Sequence, residues 1–246
     1  MASQATLSRF ALLDQARGLA LVAMIIYHAF WDGFQFGLLT WTLERDQMMR
    51  LAAQIIAGSF LTISGISLAL SSAVSDVPLV QRRSFWKRTM IVAGAAALVS
   101  AASFIALPQA PIYFGILHHI AFASVVVALI ATQHAFLAAA LAALVVVTKA
   151  SIDFPALNHP ATIWLGLGTE VPVTADWVPV FPWLAAGLLG FAIGKQMLVP
   201  WLQSRAPSPY KLQRDPLTWM GRNSLVIYLI HQPILIGIIY FYQWLT

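Results

Sequence analysis

Long apolar runs recur along this chain and limit its fold more than any other feature. A helix needs roughly 20 mainly apolar residues to cross a bilayer, and within lipid only helices and closed barrels satisfy their own backbone polar groups. The runs are close to that length and lie near residues 17–37, 51–73, 90–107, 113–132, 135–152, 179–198 and 220–244. The sequence therefore predicts an all-α fold, a polytopic membrane bundle of about seven transmembrane helices.

The balance of apolar and charged residues supports the same class of protein. Hydrophobic residues make up 60% of the chain and charged residues 9%. A soluble domain carries about 25% charged residues, so this chain has too few polar side chains to cover a surface that faces water. The apolar runs continue to the last residues, and residues 1–246 are predicted to form one membrane domain. The absence of cysteine excludes disulfides, a thiolate nucleophile and cysteine-based metal sites.

The basic residues lie at the ends of the apolar runs and predict the orientation of the chain. They form no single stripe, so the net charge of +5 reflects membrane topology and no nucleic-acid partner is expected. With seven spans and a cytoplasmic N-terminus, three basic residues lie outside, at Arg45, Arg50 and Lys149. Eleven lie inside, at Arg9, Arg17, Arg82, Arg83, Lys87, Arg88, Lys195, Arg205, Lys211, Arg214 and Arg222. This positive-inside asymmetry predicts a periplasmic C-terminus.

The first helix is expected to be retained, because no small-residue cleavage site follows it at the distance typical of a signal peptide. A retained first helix and the inside-positive bias together predict the inner membrane of a bacterium. The longest outer loop, near residues 153–178, is rich in Pro, Trp and Gly. Such a loop suits a lid or binding loop. It equally suits a cap on the membrane surface with Trp164, Trp177 and Trp183 as interfacial anchors.

Ionisable groups at membrane depth mark either a functional site or a paired structural contact. His28 and Asp32 are four residues apart in the first helix and so share one face. A carboxylate beside an imidazole fixes its tautomer and increases its basicity, which a general base requires. The pair is therefore a candidate catalytic site. The alternative is a buried polar pair that holds the helix against its neighbours.

A second set of candidates lies where the first and last helices enter the membrane. Asp14 could cap the first helix, and Arg17 could bind a phosphate or anchor the helix at the lipid head groups. Arg222, Asn223 and Ser224 begin the last span, where a helix N-terminus can hold an anion.

The remaining membrane histidines are candidates for lining a site. His118 and His119 are adjacent and point about 100° apart on a helix, so both cannot face one site squarely. His231 and Gln232 precede Pro233, which would kink the last helix. Without a carboxylate cluster or ligand spacing beside these histidines, no metal is expected.

Six sequence blocks occur in a characteristic order along essentially the whole chain. They are LDQARGLALVAMIIYH, GSFLTISGISLAL, QRRSFWKR, FGILHHIA, FPWLAAGLLGFAIGK and GRNSLVIYLIHQP. The pattern resembles bacterial members of the heparan-α-glucosaminide N-acetyltransferase-like family, within the wider group of transmembrane acyltransferases. The Asp-x-x-Arg-Gly entry to the first helix and the ending, Gly-Arg-Asn-Ser-Leu followed by Tyr-Leu-x-His-Gln-Pro, are its most specific parts.

The resemblance implies an enzyme that moves an acetyl group across the membrane. Acetyl-CoA, or another acyl-CoA, would bind from the cytoplasm at the Asp14, Arg17 and 222–224 positions. A sugar amine or hydroxyl of the cell envelope would accept the acyl group on the periplasmic side, with His28 as the base. Trp183 is a further candidate for lining the site.

Two other functions remain open on the sequence. Buried His and Asp residues and a kinking Pro also suit a proton-coupled transporter or flippase. Small-residue stretches such as AFLAAALAALVVV could instead pack against another protein, as in a homodimer or a non-catalytic subunit of a larger membrane complex. In every case membrane lipid is the surrounding partner.

Overall fold

The structure is a computed structural model that describes residues 11–40, 42–204 and 215–245. Four of the basic residues counted above, Arg9, Arg205, Lys211 and Arg214, lie outside these ranges. The described residues form helices and no strands, which confirms the all-α class. The helices are α1 (Ala11–Gln35), α2 (Leu43–Ser72), α3 (Arg83–Ala106), α4 (Ile116–Ile130), α5 (Ala135–Ser151), α6 (Val180–Ile193), α7 (Val199–Gln203), α8 (Pro216–Arg222) and α9 (Ser224–Leu245). A π-helical turn, Gly194–Leu198, joins α6 to α7.

A helix occupies each of the seven segments predicted to cross the membrane. Within the described ranges, four helical stretches are both long and apolar enough to do so, namely Glu44–Ser72, Arg83–Ala106, Val180–Gln203 and Ser224–Leu245. The helices α4 and α5 are apolar but shorter. The 25-residue α1 is long enough, but Asp14, Arg17 and Asp32 reduce its apolar character. An integral membrane protein is supported, and the seven spans and their orientation stay predictions.

The chain divides into two compact units. Over the residues that the structure describes, the terminal unit combines the ranges 11–60 and 215–245, and the central unit comprises 61–204. The terminal unit holds α1, the first part of α2, α8 and α9, while the central unit holds the rest of α2 and α3 to α7. The first and last parts of the sequence thus form one folded body.

Two glycines allow α1 and α8 of the terminal unit to pack backbone against backbone. A Cβ on Gly18 would overlap the Leu217 carbonyl, and a Cβ on Gly221 would overlap the backbone of Asp14. Both glycines are buried. Because small residues let helices approach closely in lipid, this pair of contacts brings the end of α8 against the start of α1.

Small residues also dominate the core of the central unit. The buried face of α5 presents Ala138 and Ala142 in the cluster that includes Leu188 and Phe191 of α6. The stretch AFLAAALAALVVV was a candidate for packing against another protein. On its buried face it packs within its own chain instead. Close approach recurs between α2 and α6, where a Cβ on Gly65 would overlap the Gly187 carbonyl.

The segment between α5 and α6 is a folded cap over the start of α4. The Val178 amide donates to the Phe114 carbonyl at 3.1 Å, and an Asp176 carboxylate oxygen accepts from the Ile116 amide at 2.9 Å. Trp164 packs on both Phe114 and Phe122. These contacts favour the cap interpretation of the loop over a mobile lid.

Candidate functional site

Two polar clusters lie along α1 in the terminal unit. The arginine cluster consists of Asp14, Arg17 and Arg222. The histidine cluster consists of His28, Asp32, His231 and Gln232. Asp14 and His28 are 14 positions apart on one continuous helix, which corresponds to about 21 Å along its axis. One helix therefore carries a charged group near its start and a largely buried polar group near its end.

In the histidine cluster, the Asp32 carboxylate is held by Gln232 of α9. The Gln232 amide nitrogen donates to the two Asp32 oxygens at 2.8 and 3.0 Å. Asp32 is only 4% exposed, and a carboxylate that is buried without donors is costly. The contact thus satisfies a buried acid and joins α1 to α9.

The four-residue spacing predicted that Asp32 orients His28, and the structure shows a different partner for the Asp32 carboxylate. The Asp32 carboxylate bonds to Gln232, and His28 Nδ1 has no hydrogen-bond partner among the described residues. The four-residue spacing correctly placed both side chains on one face of α1. It could not reveal that an amide donor from a distant part of the chain satisfies the acid.

The imidazole rings of His28 and His231 lie next to each other, with centroids 5.0 Å apart and ring planes tilted by 53°. His231 Nδ1 lies 2.6 Å from the Tyr228 carbonyl oxygen, and a carbonyl only accepts, so Nδ1 carries the hydrogen. His231 is 7% exposed. Pro233 sits inside α9 and has no N–H to donate to the helix.

Three buried polar atoms of the histidine cluster lack a partner in the part of the chain that the structure describes. They are His28 Nδ1, His231 Nε2 and Gln232 Oε1. Buried polar groups are almost always hydrogen-bonded. Three such atoms on two facing helices are therefore typical of a site that receives a polar group from a ligand or a water.

In the arginine cluster, one carboxylate holds two guanidinium groups. Asp14 Oδ1 accepts from Arg17 Nη1 at 2.7 Å, and Asp14 Oδ2 accepts from Arg222 Nε at 3.4 Å. The three side chains, two guanidinium groups and one carboxylate, have a formal charge sum of +1. Gly221 makes the arrangement possible, because it lets α8 approach α1 one residue before Arg222. The structure thus brings together three of the residues predicted to form the acyl-CoA site, Asp14, Arg17 and Arg222.

Asn223 and Ser224, the other two predicted anion-binding residues, lie at the junction of α8 and α9. Asn223 follows the last residue of α8, and its side-chain amide donates to the Trp219 carbonyl at 2.9 Å. Ser224 begins α9. The sequence analysis treated 220–244 as one helix, and the break at Asn223 makes this residue a cap of α8.

A hydrogen-bonded group around Asp215 was missed by the sequence analysis. Asp215 caps α8 by accepting from the Thr218 amide at 2.9 Å and from the Thr218 hydroxyl at 2.6 Å. Gln15 of α1 donates to the same carboxylate at 3.3 Å. These hydrogen bonds, the one from the Thr218 hydroxyl most of all, hold the pKa of the Asp215 carboxyl below its ordinary value. The Asp-Pro-x-Thr pattern is a helix-start signal that could have identified the cap.

The predicted site residues His118, His119 and Trp183 belong to the central unit. His118 Nδ1 accepts from the Gly115 amide at 3.3 Å, and its Nε2 lies 3.2 Å from the Ser100 hydroxyl on α3. His119 is fully buried, with Nδ1 3.0 Å from the Val178 carbonyl. The adjacent histidines thus diverge, as their helical spacing predicted. Trp183 is half-buried near the start of α6.

The sequence matches a known protein family. The family model described as heparan-alpha-glucosaminide N-acetyltransferase, catalytic, matches residues 9–233. This range includes both clusters and ends one residue after Gln232. No curated protein and no solved structure matches the chain.

Proposed function

The chain belongs to the heparan-alpha-glucosaminide N-acetyltransferase catalytic family, and from this we propose that it is an integral-membrane acetyltransferase. Its donor is acetyl-CoA, or another acyl-CoA, bound from the cytoplasm. Its acceptor is an amine or hydroxyl on the periplasmic side of a bacterial inner membrane, with a sugar of the cell envelope as the leading class. The reaction passes the acetyl group between these two sides.

The placement of both clusters on α1 is the observation that carries the proposal. An acyl-CoA has anionic phosphates at one end and a reactive thioester at the other. A binding site therefore needs a cationic region and, at a distance from it, a region suited to acyl transfer. The arginine cluster and the histidine cluster supply these two regions about 21 Å apart on one helix.

The arginine cluster suits phosphate binding because it presents two guanidinium groups that are held by Asp14 and are partly exposed. Guanidinium groups present several N–H donors in a planar arrangement that matches phosphate oxygens. Asp14 contacts both of them and holds the two side chains in one place. The side chains of Arg17 and Arg222 remain 19% and 29% exposed, so a ligand can reach them.

The histidine cluster suits acyl transfer because it contains imidazoles with unpartnered buried nitrogens. The acceptor heteroatom attacks the thioester carbon and loses its proton to an imidazole. The C–S bond then breaks, and the thiolate of CoA takes up that proton as it leaves. Acid–base catalysis of this kind contributes about 10² to 10⁴-fold to a rate.

The first test is calorimetric titration of the detergent-purified protein with acetyl-CoA. Replacement of Arg17 or Arg222 by alanine should raise the Kd about tenfold or more, since each removes a charge-assisted hydrogen bond of about 1.5–3 kcal/mol. Arg50→Ala is the matched control, because Arg50 pairs with Asp46 on the exposed start of α2. An equal effect of all three substitutions would show that overall charge, and not this cluster, binds the donor.

The second test measures turnover through the thiol that acetyl-CoA releases. Because the chain contains no cysteine, a thiol-reactive dye reports CoA without a signal from the protein. Glucosamine serves as a probe that offers both an amine and hydroxyls. Acceptor-dependent thiol release supports the proposal. If acetyl-CoA neither binds at millimolar concentration nor releases thiol, the acetyltransferase proposal is wrong, and transport assays in proteoliposomes follow.

A further inference from the structure

The two histidines of the histidine cluster differ in how their rings are held. A general base needs a fixed tautomer, which is usually set by a hydrogen bond from its other ring nitrogen. His231 has such a partner, because its Nδ1–H donates to the Tyr228 carbonyl at 2.6 Å. The bare lone pair of neutral His231 is therefore on Nε2, which is buried and unpartnered among the described residues.

His28 lacks an equivalent partner. The Asp32 carboxylate, four residues further along α1, is engaged by Gln232. Among the described residues, the Nδ1 atom of His28 has no hydrogen-bond partner. Its observed neighbours are aromatic, with Tyr27 at 5.2 Å and His231 at 5.0 Å between ring centroids.

The three unpartnered atoms also differ in whether they can donate. Gln232 Oε1 is an acceptor by its chemistry, and His231 Nε2 is an acceptor because the ring hydrogen is on Nδ1. His28 Nδ1 is the one of the three that can carry a hydrogen. Acyl transfer needs both an acceptor for the proton of the nucleophile and a donor for the negative charge that develops on the carbonyl oxygen.

We propose that His231 is the general base and that His28 is the hydrogen-bond donor to the developing oxyanion. This assignment deepens the acetyltransferase function proposed above and rests on it. His231 Nε2 takes the proton of the acceptor amine or hydroxyl as the new bond to the acetyl carbon forms. His28 Nδ1–H stabilises the tetrahedral oxyanion. When the C–S bond breaks, the CoA thiolate takes the proton from His231, which returns to its neutral form.

Asparagine at each position separates the two roles. An asparagine side chain places an N–H near the position of histidine Nδ1 but has no basic nitrogen at the position of Nε2. His28→Asn therefore keeps the proposed donor. His231→Asn keeps the contact with the Tyr228 carbonyl but removes the proposed base.

The experiment measures kcat and the KM for acetyl-CoA in the thiol-release assay with glucosamine. We expect His231→Asn to lower kcat about 10² to 10⁴-fold, the usual contribution of a general base. We expect His28→Asn to lower kcat less than about tenfold and His28→Ala to lower it about 10² to 10³-fold, as for the loss of an oxyanion donor. The KM for acetyl-CoA should change little in all three, because the arginine cluster is intact. His134→Gln, on an exposed loop, is the control.

The outcomes separate this assignment from the proposed function. A large kcat loss in His28→Asn with near-normal turnover in His231→Asn would overturn the assignment while leaving the acetyltransferase function in place. If the wild type binds acetyl-CoA but releases no thiol with glucosamine or water, both proposals fail. Should His231→Asn not fold, His231→Gln tests the same step, since glutamine is also not a base. Size-exclusion profiles and acetyl-CoA thermal shifts verify that each variant is folded.

Discussion

The amide nitrogen of Gln232 bridges both carboxylate oxygens of Asp32, although the two residues are 200 positions apart in the sequence. The contact leaves Gln232 Oε1 without a partner in the described structure. The acid thus fixes the direction in which the glutamine amide points. Its carbonyl end is available to a ligand of the histidine cluster.

Removal of Asp32 should destabilise the protein more than removal of both partners. Asp32→Ala leaves the Gln232 amide buried without an acceptor, which costs about 1–3 kcal/mol. Asp32→Asn keeps one acceptor oxygen and should cost less. The double variant Asp32→Ala with Gln232→Leu should recover part of the loss, because neither polar partner remains. Thermal unfolding in detergent measures all three. Additive losses in the double variant would show that the two side chains are not coupled.

Alanine at Gly221 should be far more harmful than alanine at Gly237. A Cβ on Gly221 would overlap the backbone of Asp14, whereas no atom lies within 4 Å of a Cβ on Gly237. Gly221→Ala should therefore force α8 away from α1 and lower both the melting temperature and acetyl-CoA affinity. Gly237→Ala should be neutral or stabilising by about 0.5–1 kcal/mol, because alanine is the better helix former. Equal behaviour of the two variants would contradict the close contact between α1 and α8.

The stability supplied by Asp215 should be lost at acid pH. Its hydrogen bonds from Thr218 lower the folded-state pKa below the ordinary value of 3.8. A lowered pKa means that the cap stabilises the fold fully above that ordinary value and that this contribution falls as pH drops from about 4 toward the folded pKa. Asp215→Asn retains a capping oxygen but cannot titrate. Its melting temperature should therefore fall less than that of the wild type between pH 5 and pH 3.

The predicted orientation can be tested with single cysteines, because the chain has none of its own. Val77 follows α2 and is 47% exposed, and Val173 precedes α6 and is 75% exposed. In intact cells, a membrane-impermeant maleimide should label Val173→Cys, and it should label Val77→Cys only after the membrane is opened. The reverse pattern would place the N-terminus outside. Labelling of both in intact cells would contradict an odd number of spans between them.

The fold could be predicted from the sequence to the extent that it depends on local pattern. Helix positions follow from apolar length, and each predicted segment is occupied by a helix. The break at Asn223 was missed because Arg222, Asn223 and Ser224 were assigned to the start of one span over 220–244. The capping contacts of Asp215 at the start of α8 and of Asn223 at its end define α8 as a separate helix. Whether a helix such as α1 crosses a membrane depends on how its charged residues are satisfied, and composition alone does not contain that information.

The sequence was sufficient to predict which residues belong to the histidine cluster, but not which of them contact each other. Sequence reasoning identified His28, Asp32, His231 and Gln232 separately, because polar groups in apolar helices are unusual. It paired Asp32 with His28, since helical spacing reveals only contacts within one helix. The contact of Asp32 with Gln232 and the close approach of the His28 and His231 rings depend on how α1 and α9 meet. Contacts between residues so far apart leave no local pattern.

The construction of the terminal unit from both ends of the chain has a consequence for biosynthesis. At a translation rate of about 5–20 residues per second, the ribosome needs about 10–40 s to extend the nascent chain from Asp32 to Gln232. During that interval α1 has emerged while the amide that satisfies its acid does not yet exist. The insertion machinery, a chaperone or protonation of the carboxyl group must shelter Asp32 until the last helix arrives. Truncation of the nascent chain before Gln232 should therefore leave α1 exposed to membrane quality-control proteases.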